Sequence, residues 1–141
     1  MIKQISVFLE NKKGRLSEAL EILHKNDINL RSLTIAETTD YGILRLIPDK
    51  PEQAAEKLKE AHFIVNKTKV LAIEVNDTPG SMLRIIKELS LANIDIEYSY
   101  CCLPVHEHKA VVILKVSDNQ KAIEVLRKSS CAILIEPEAF T

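Results

Sequence analysis

The residues of this chain best placed to do chemistry form one string, Asn76-Asp77-Thr78-Pro79-Gly80-Ser81-Met82-Leu83. It stands between an apolar run, Val70 to Val75, and a stripe of apolar residues at helical spacing. Asp77 or Thr78 can accept hydrogen bonds from the free amides of that helix, and Pro79 pre-sets its first turn. Gly80 removes a side chain where a backbone or a ligand comes close. Such a helix start presents unpaired N–H groups and the positive end of the helix dipole, which suit a carboxylate or a phosphate. Asp77 places a fixed negative charge beside them. Together they match the two ends of a free amino acid, with backbone amides for the carboxylate and a side-chain oxygen for the ammonium. An Asp-Thr-Pro-Gly string is also a good helix N-terminus with no ligand at all, and caps outnumber binding sites, so spacing alone leaves both uses open.

The elements around this string occur twice. Gly80 follows Gly14 by 66 residues, as Leu89 follows Leu23 and Ile94 follows Ile28. Apolar character holds at the same offset in Leu16 and Met82, Leu20 and Ile86, and Leu30 and Ile96. A period this long marks a duplicated domain rather than a solenoid unit. In the first copy, alternation predicts a strand over residues 2 to 9, and Leu16, Ala19, Leu20 and Leu23 predict a helix stopped by Asn26-Asp27. Strands follow at about 28 to 37 and 41 to 47, joined by a turn at Thr38-Thr39-Asp40. Asp49, Pro51 and Glu52 predict a second helix with a capping box, and Phe63 to Val65 opens a fourth strand.

The second copy repeats the order. Strands are predicted over 70 to 75, 94 to 103, 108 to 116 and 131 to 135, with helices from Gly80 to Leu91 and after Ser117-Asp118. Registering Asp49 on Asp118 gives an offset of 69 and three extra residues in the second middle hairpin. Only Asn66-Lys67-Thr68-Lys69 separate the copies, which divides the chain into domains 1–67 and 68–141. Two β-α-β-β-α-β units make an α+β protein of two ferredoxin-like domains, each an antiparallel sheet with both helices on one face. The fold alone leaves the function open.

Bulk composition narrows the partners. A net charge of −1, from 19 basic and 20 acidic residues, argues against nucleic acid, and no Trp with three Phe and three Tyr leaves few stacking platforms. Nothing reads as a signal peptide or a membrane span. The odd set Cys101, Cys102 and Cys131 reads as reduced thiols in a cytoplasmic protein. Cys101, Cys102, His106 and His108 could attract zinc, but adjacent cysteines on a strand point to opposite faces and the spacing fits no standard site, so no metal is expected. Tyr98 and Tyr100 share a strand face. No nucleophile–base pair, phosphate loop or dinucleotide fingerprint is present, so no catalytic residue, cofactor or enzymatic activity is expected.

The run Ile73-Glu74-Val75-Asn76-Asp77-Thr78-Pro79-Gly80-Ser81-Met82, with Ile86, Leu89 and Asn93-Ile94-Asp95-Ile96, resembles the ACT domain family. Its signature is an apolar strand, Asp-x-Pro-Gly-x-Leu, a helix, then a turn into Asn-Ile-x-Ile. Val7 to Leu30 resembles a degraded copy. It keeps Gly14-Arg15-Leu16 and Asp27-Ile28-Asn29-Leu30, with Asn11 and Lys13 where the aspartate and proline would stand. The resemblance spans nearly the whole chain and implies a tandem regulatory sensor for a small molecule, usually an amino acid. It implies ligand contacts from Asn76, Asp77, Thr78, Pro79, Gly80, Ser81, Met82 and Leu83. Asn93 and Ile94 would close that pocket, and Asn11, Gly14, Arg15 and Leu16 are the matching positions in the first copy. One working site per pair is expected, in the second copy. The implied partners are a free amino acid and a second subunit in a homodimer. Two alternatives stand beside this: a module docking on a biosynthetic enzyme with a vestigial pocket, and a metal sensor built on the cysteines and histidines.

Overall fold

Strands form where apolar residues alternate, and helices form where they recur every third or fourth residue. The computed structural model describes residues 1–37, 40–104 and 106–140. The chain divides into two units, residues 3–68 with Phe140, and residues 69–139 with Met1 and Ile2.

The first unit contains β1 (Ile2–Glu10), α1 (Arg15–Lys25), β2 (Leu30–Glu37), β3 (Tyr41–Pro48), α2 (Pro51–Glu60) and the opening residues of β4 (Ile64–Asn76). The antiparallel β3 lies between β2 and β1. Ile5, Val7 and Leu9 of β1 and Leu44 and Leu46 of β3 pack with Ala19, Leu23, Ala54 and Leu58 from the two helices. The second unit uses the rest of β4, then α3 (Ser81–Leu91), β5 (Ile96–Cys102), β6 (Lys109–Val116), α4 (Asn119–Ser129) and β7 (Ile133–Leu134). Its antiparallel order is β7-β4-β6-β5. Leu71, Ile73, Val75, Leu114, Ile85, Leu89 and Leu126 form its core. Both units are ferredoxin-like, as the sequence order predicts.

The two copies match in hydrogen-bonding detail. Ile5 pairs with Leu46 as Leu71 pairs with Leu114, and Glu10 with Tyr41 as Asn76 with Lys109. Each second strand carries one irregularity at the same place, between Leu30 and Ser32 and between Ile96 and Tyr98. After α1 the chain turns through Asp27 (φ 53°), with Ile28 N donating to Leu23 O at 3.0 Å. After α3, Asn93 (φ 59°) and the bond from Ile94 N to Leu89 O at 3.0 Å do the same. These six-to-one bonds satisfy carbonyls that the helix ends leave open.

Four expectations need correction. Leu30 pairs with Pro48 as Ile96 pairs with Val116, an offset that grows from 66 to 68, so the second hairpin has two extra residues rather than three. Asp49 does not cap α2: its Oδ1 accepts from Asn29 N at 3.0 Å, as Ser117 Oγ accepts from Asp95 N at 3.1 Å. The N-cap of α2 is Lys50 with Pro51 next, whereas Asp118 caps α4 by accepting from Lys121 N. Residues 66 to 69 are strand, part of the single 13-residue β4, because their polar side chains sit in an extended run between buried Val65 and Val70. The last strand has only two residues and leads into a 3-10 turn, Pro137–Phe140. Thr38 and Thr39 of the predicted first hairpin turn lie outside the described residues.

Candidate functional site

Both loops are assembled in the same way. A strand ends at Glu10 or Asn76, and a left-handed glycine, Gly14 (φ 89°) or Gly80 (φ 85°), forms the N-cap of the next helix. No side chain caps either helix, so Asp77 and Thr78 do not fill the capping role expected of them, and Pro79 lies before the cap rather than in the first turn. A Cβ built on either glycine meets nothing within 4 Å. Positive φ, not crowding by the protein, is what selects glycine there.

The second loop is closed on itself. Thr78 Oγ1 and Ser81 Oγ lie 2.9 Å apart, and Ser81 N donates to Thr78 O at 3.3 Å. Asp77 N donates to His108 O at 3.1 Å, and Lys109 Nζ donates to Asn76 Oδ1 at 2.6 Å. Ser81 is buried and Met82 half-buried, while Asp77, Thr78, Pro79, Gly80 and Leu83 are exposed. The fold thus gathers residues 76 to 83 around one helix start. It does not bring Asn93 and Ile94 to them within the unit. Those two follow the C-terminal end of the 11-residue α3, about 16 Å along the axis at 1.5 Å per residue, and Ile94 is spent in the core.

The first loop has the matching backbone bond, Arg15 N donating to Lys12 O at 3.4 Å, but different side chains around it. Lys12 Nζ lies 2.8 Å from Glu10 Oε2, and that ammonium holds the Glu10 carboxyl below its usual pKa. Arg15 lies over the Phe63 ring, 4.1 Å from its centroid, and donates from Nη1 to Glu18 Oε2 at 2.6 Å. Arg15 Nε is buried and finds no acceptor among the described residues. An unmet buried donor costs about 1–3 kcal/mol, so this guanidinium is incompletely satisfied.

Beside this loop is a cavity of about 410 Å³, lined in part by Asn11, Arg15 and Leu16. Its floor follows from strand register. Leu9, Gly42 and Glu37 sit opposite one another across β1, β3 and β2, so they share a face, and Gly42 puts no side chain in the middle of the row, where Ile35 Cγ2 comes close. Offsets of 66 and 68 place Val75, Ala110 and Leu103 at the equivalent positions of the second copy, where Ala110 packs against the core. A smaller cavity of about 120 Å³ touches the second loop only at Asn76.

Sequence reasoning missed Leu9, Glu10, Lys12, Ile35, Glu37, Tyr41 and Gly42 as lining residues. One signal was present: the chain has only three glycines, and the one inside a strand marks a gap or a close approach. The other residues considered are placed as follows. Tyr98 and Tyr100 stack with centroids 6.5 Å apart. Cys101 is exposed and Cys102 buried, both as free thiols, and His106 Nδ1 lies 2.6 Å from Glu74 Oε2. Among the described residues no group of three or more His, Cys, Asp or Glu gathers as a metal centre. None of their helices is long and apolar enough to cross a membrane.

Two ferredoxin-like units, each with a left-handed glycine between its first strand and first helix, define an ACT pair. The chain belongs to that family, matching the ACT domain pair over residues 1–139. A protein of Bacteroides thetaiotaomicron of known crystal structure is 40% identical, with a TM-score of 0.92 over 99% of this chain and 94% of that one. The ligand-free regulatory subunit of aspartate kinase from Thermus thermophilus is 15% identical, with a TM-score of 0.67 over 99% and 93%. An aspartokinase structure of alpha and beta subunits is 17% identical, with a TM-score of 0.63 over 91% of each chain. The last two likenesses are of fold. No curated protein matches the sequence significantly.

Proposed function

We propose that this ACT pair is a non-catalytic regulatory module that binds a free amino acid at the loop after the first strand of a copy. The observation that carries the reading is the cavity of about 410 Å³ at such a loop, beside a helix start and four charged side chains. That volume falls in the range that holds small ligands. The candidate contacts are Asn11, Gly14, Arg15 and Leu16 in the first copy, and residues 76 to 83 with Asn93 and Ile94 in the second. As an effector, the amino acid acts by binding one arrangement of domains or subunits better than another. A homodimer covers sheet edges that β2 and β5 leave unpaired. Three free cysteines fit a cytoplasmic setting.

A thermal-shift screen against the twenty amino acids, followed by calorimetry, tests this. Ligand at a hundred times its dissociation constant adds about 2.7 kcal/mol to the folded state, a visible shift. A selective hit is expected, and a flat panel overturns the amino-acid reading. Comparing Asp77→Ala with Asn11→Ala then decides which copy binds, the family motif favouring the larger loss from Asp77→Ala. One observation favours a second reading, a subunit docking on a biosynthetic enzyme: the Thermus thermophilus protein of like fold is itself a regulatory subunit of aspartate kinase. Co-purification with a larger enzyme, without any amino-acid response, supports that reading instead.

A further inference from the structure

We infer that the ligand site is in the first copy, despite its degraded motif, and that it takes a neutral α-amino acid with an apolar side chain, held between Arg15 and Glu37. The inference rests on the amino-acid reading above and adds the copy, the two polar contacts and the ligand class.

Charge bookkeeping around the cavity supports it. Four charged residues line it, Glu10, Lys12, Arg15 and Glu37, two of each sign. Lys12 and Glu10 neutralise each other at 2.8 Å. Arg15 spends Nη1 on Glu18, which is outside the cavity lining, and its Nε has no acceptor. A guanidinium has five donors in a planar fork that matches a carboxylate, so Arg15 retains capacity for one. The side chain of Glu37, at the end of β2, has no hydrogen bond or ion pair among the described residues. It lines the cavity on the same sheet face as Leu9, with Gly42 between them. A cation donor with capacity to spare and an unspent carboxylate lining the same cavity match the carboxylate and ammonium of a zwitterion. The rest of the lining is mostly apolar, Leu9, Leu16, Ile35, Gly42 and Tyr41, with Asn11 as a neutral polar member. A ligand side chain bearing charge would be desolvated against that wall with no partner, which selects for a neutral, apolar one.

The matching positions of the second copy carry other residues. Ser81 replaces Arg15 and is engaged with Thr78, Leu103 replaces Glu37, and Ala110 fills the place of Gly42.

Calorimetry on the full chain tests the inference with L-leucine, L-isoleucine, L-valine and L-methionine, with L-aspartate and L-lysine, and with isoamylamine and 4-methylvalerate as analogues lacking one charged end. A neutral apolar amino acid is expected to bind. Arg15→Met and Glu37→Gln are each expected to weaken it about 10- to 100-fold, far more than Asp77→Ala does. Each variant should also lose discrimination against one analogue: Arg15→Met against isoamylamine, Glu37→Gln against 4-methylvalerate. Melting of the unliganded variants establishes that they fold. Gly42→Ala, whose Cβ would sit 3.3 Å from Ile35 Cγ2, fills the cavity without removing a charge and should also weaken binding. No binding by wild-type protein to any of the twenty amino acids overturns the amino-acid reading itself. Binding that survives Arg15→Met and Glu37→Gln but is lost in Asp77→Ala overturns only the present inference. Preference for L-aspartate or L-lysine overturns the ligand class.

Discussion

The copy with the fuller family motif ties its loop with a Thr78–Ser81 side-chain bond, and the copy with the degraded motif has a cavity beside its loop. Asn76, Thr78 and Ser81 spend their side chains on one another and on Lys109, and the Asp77 amide is spent on His108, while Asp77 itself is exposed. Residues 10 to 16 leave a cavity with an arginine donor unmet at its edge. A motif records how a loop is built, here a strand end, a left-handed glycine and a helix start. It does not record whether the strands beside it leave room. That room depends on Gly42 against Ala110 and on Glu37 against Leu103, positions remote in sequence from either loop.

If the two frameworks are equivalent and only their linings differ, matched mutations in the frameworks should cost alike. Leu23 and Leu89 are both fully buried against the helix-facing side of their sheets. Leu23→Ala and Leu89→Ala should each destabilise the protein by about 2–5 kcal/mol in chemical denaturation, with values close to each other. A large cost at one and almost none at the other would show that the copies do not share a packing scheme. Gly14→Ala and Gly80→Ala sharpen the comparison at the loops. Both glycines are left-handed with open space around a Cβ, so each substitution should cost about 1–2 kcal/mol from backbone strain alone. Thermal melts that separate the two by more than that would mean that one glycine does something besides turning the chain.

The sequence displayed the duplication because apolar periodicity survives substitution, and it displayed the strand–glycine–helix loops because positive φ demands glycine in both. Where it misled, residue type stood in for hydrogen bonding. Asp49 and Asp118 look like matching caps and were registered 69 apart. Asp49 ties Asn29 as Ser117 ties Asp95, and the true partner of the cap Asp118 is Lys50, 68 residues earlier. Asn66-Lys67-Thr68-Lys69 reads as a linker because it is polar, yet a strand with exposed side chains is polar too. The cavity was least legible, since its floor is a row across three strands whose members are Leu9, Glu37 and Gly42.

The smallest expected effect comes from a position where the copies differ in charge. Glu52 in α2 corresponds to Gln120 in α4, 68 residues on. Glu52 accepts from Lys3 Nζ at 2.5 Å and from Lys67 Nζ at 2.6 Å. Those bonds, Lys3 first, hold its pKa at about 2 against the ordinary 4.5. Because the folded value is depressed, the stabilisation is present above pH 4.5 and is lost as pH falls from there toward 2. The group is exposed, so solvent and salt screen the pairing and the effect is modest. Glu52→Gln makes the first copy resemble the second here. Its melting temperature should fall slightly below wild type at neutral pH, with the gap narrowing as the medium is acidified and shrinking in high salt. A gap that ignores both pH and salt would assign the cost to altered packing at the start of α2 rather than to the two lysines. The copies would then differ at this helix in shape and not in charge.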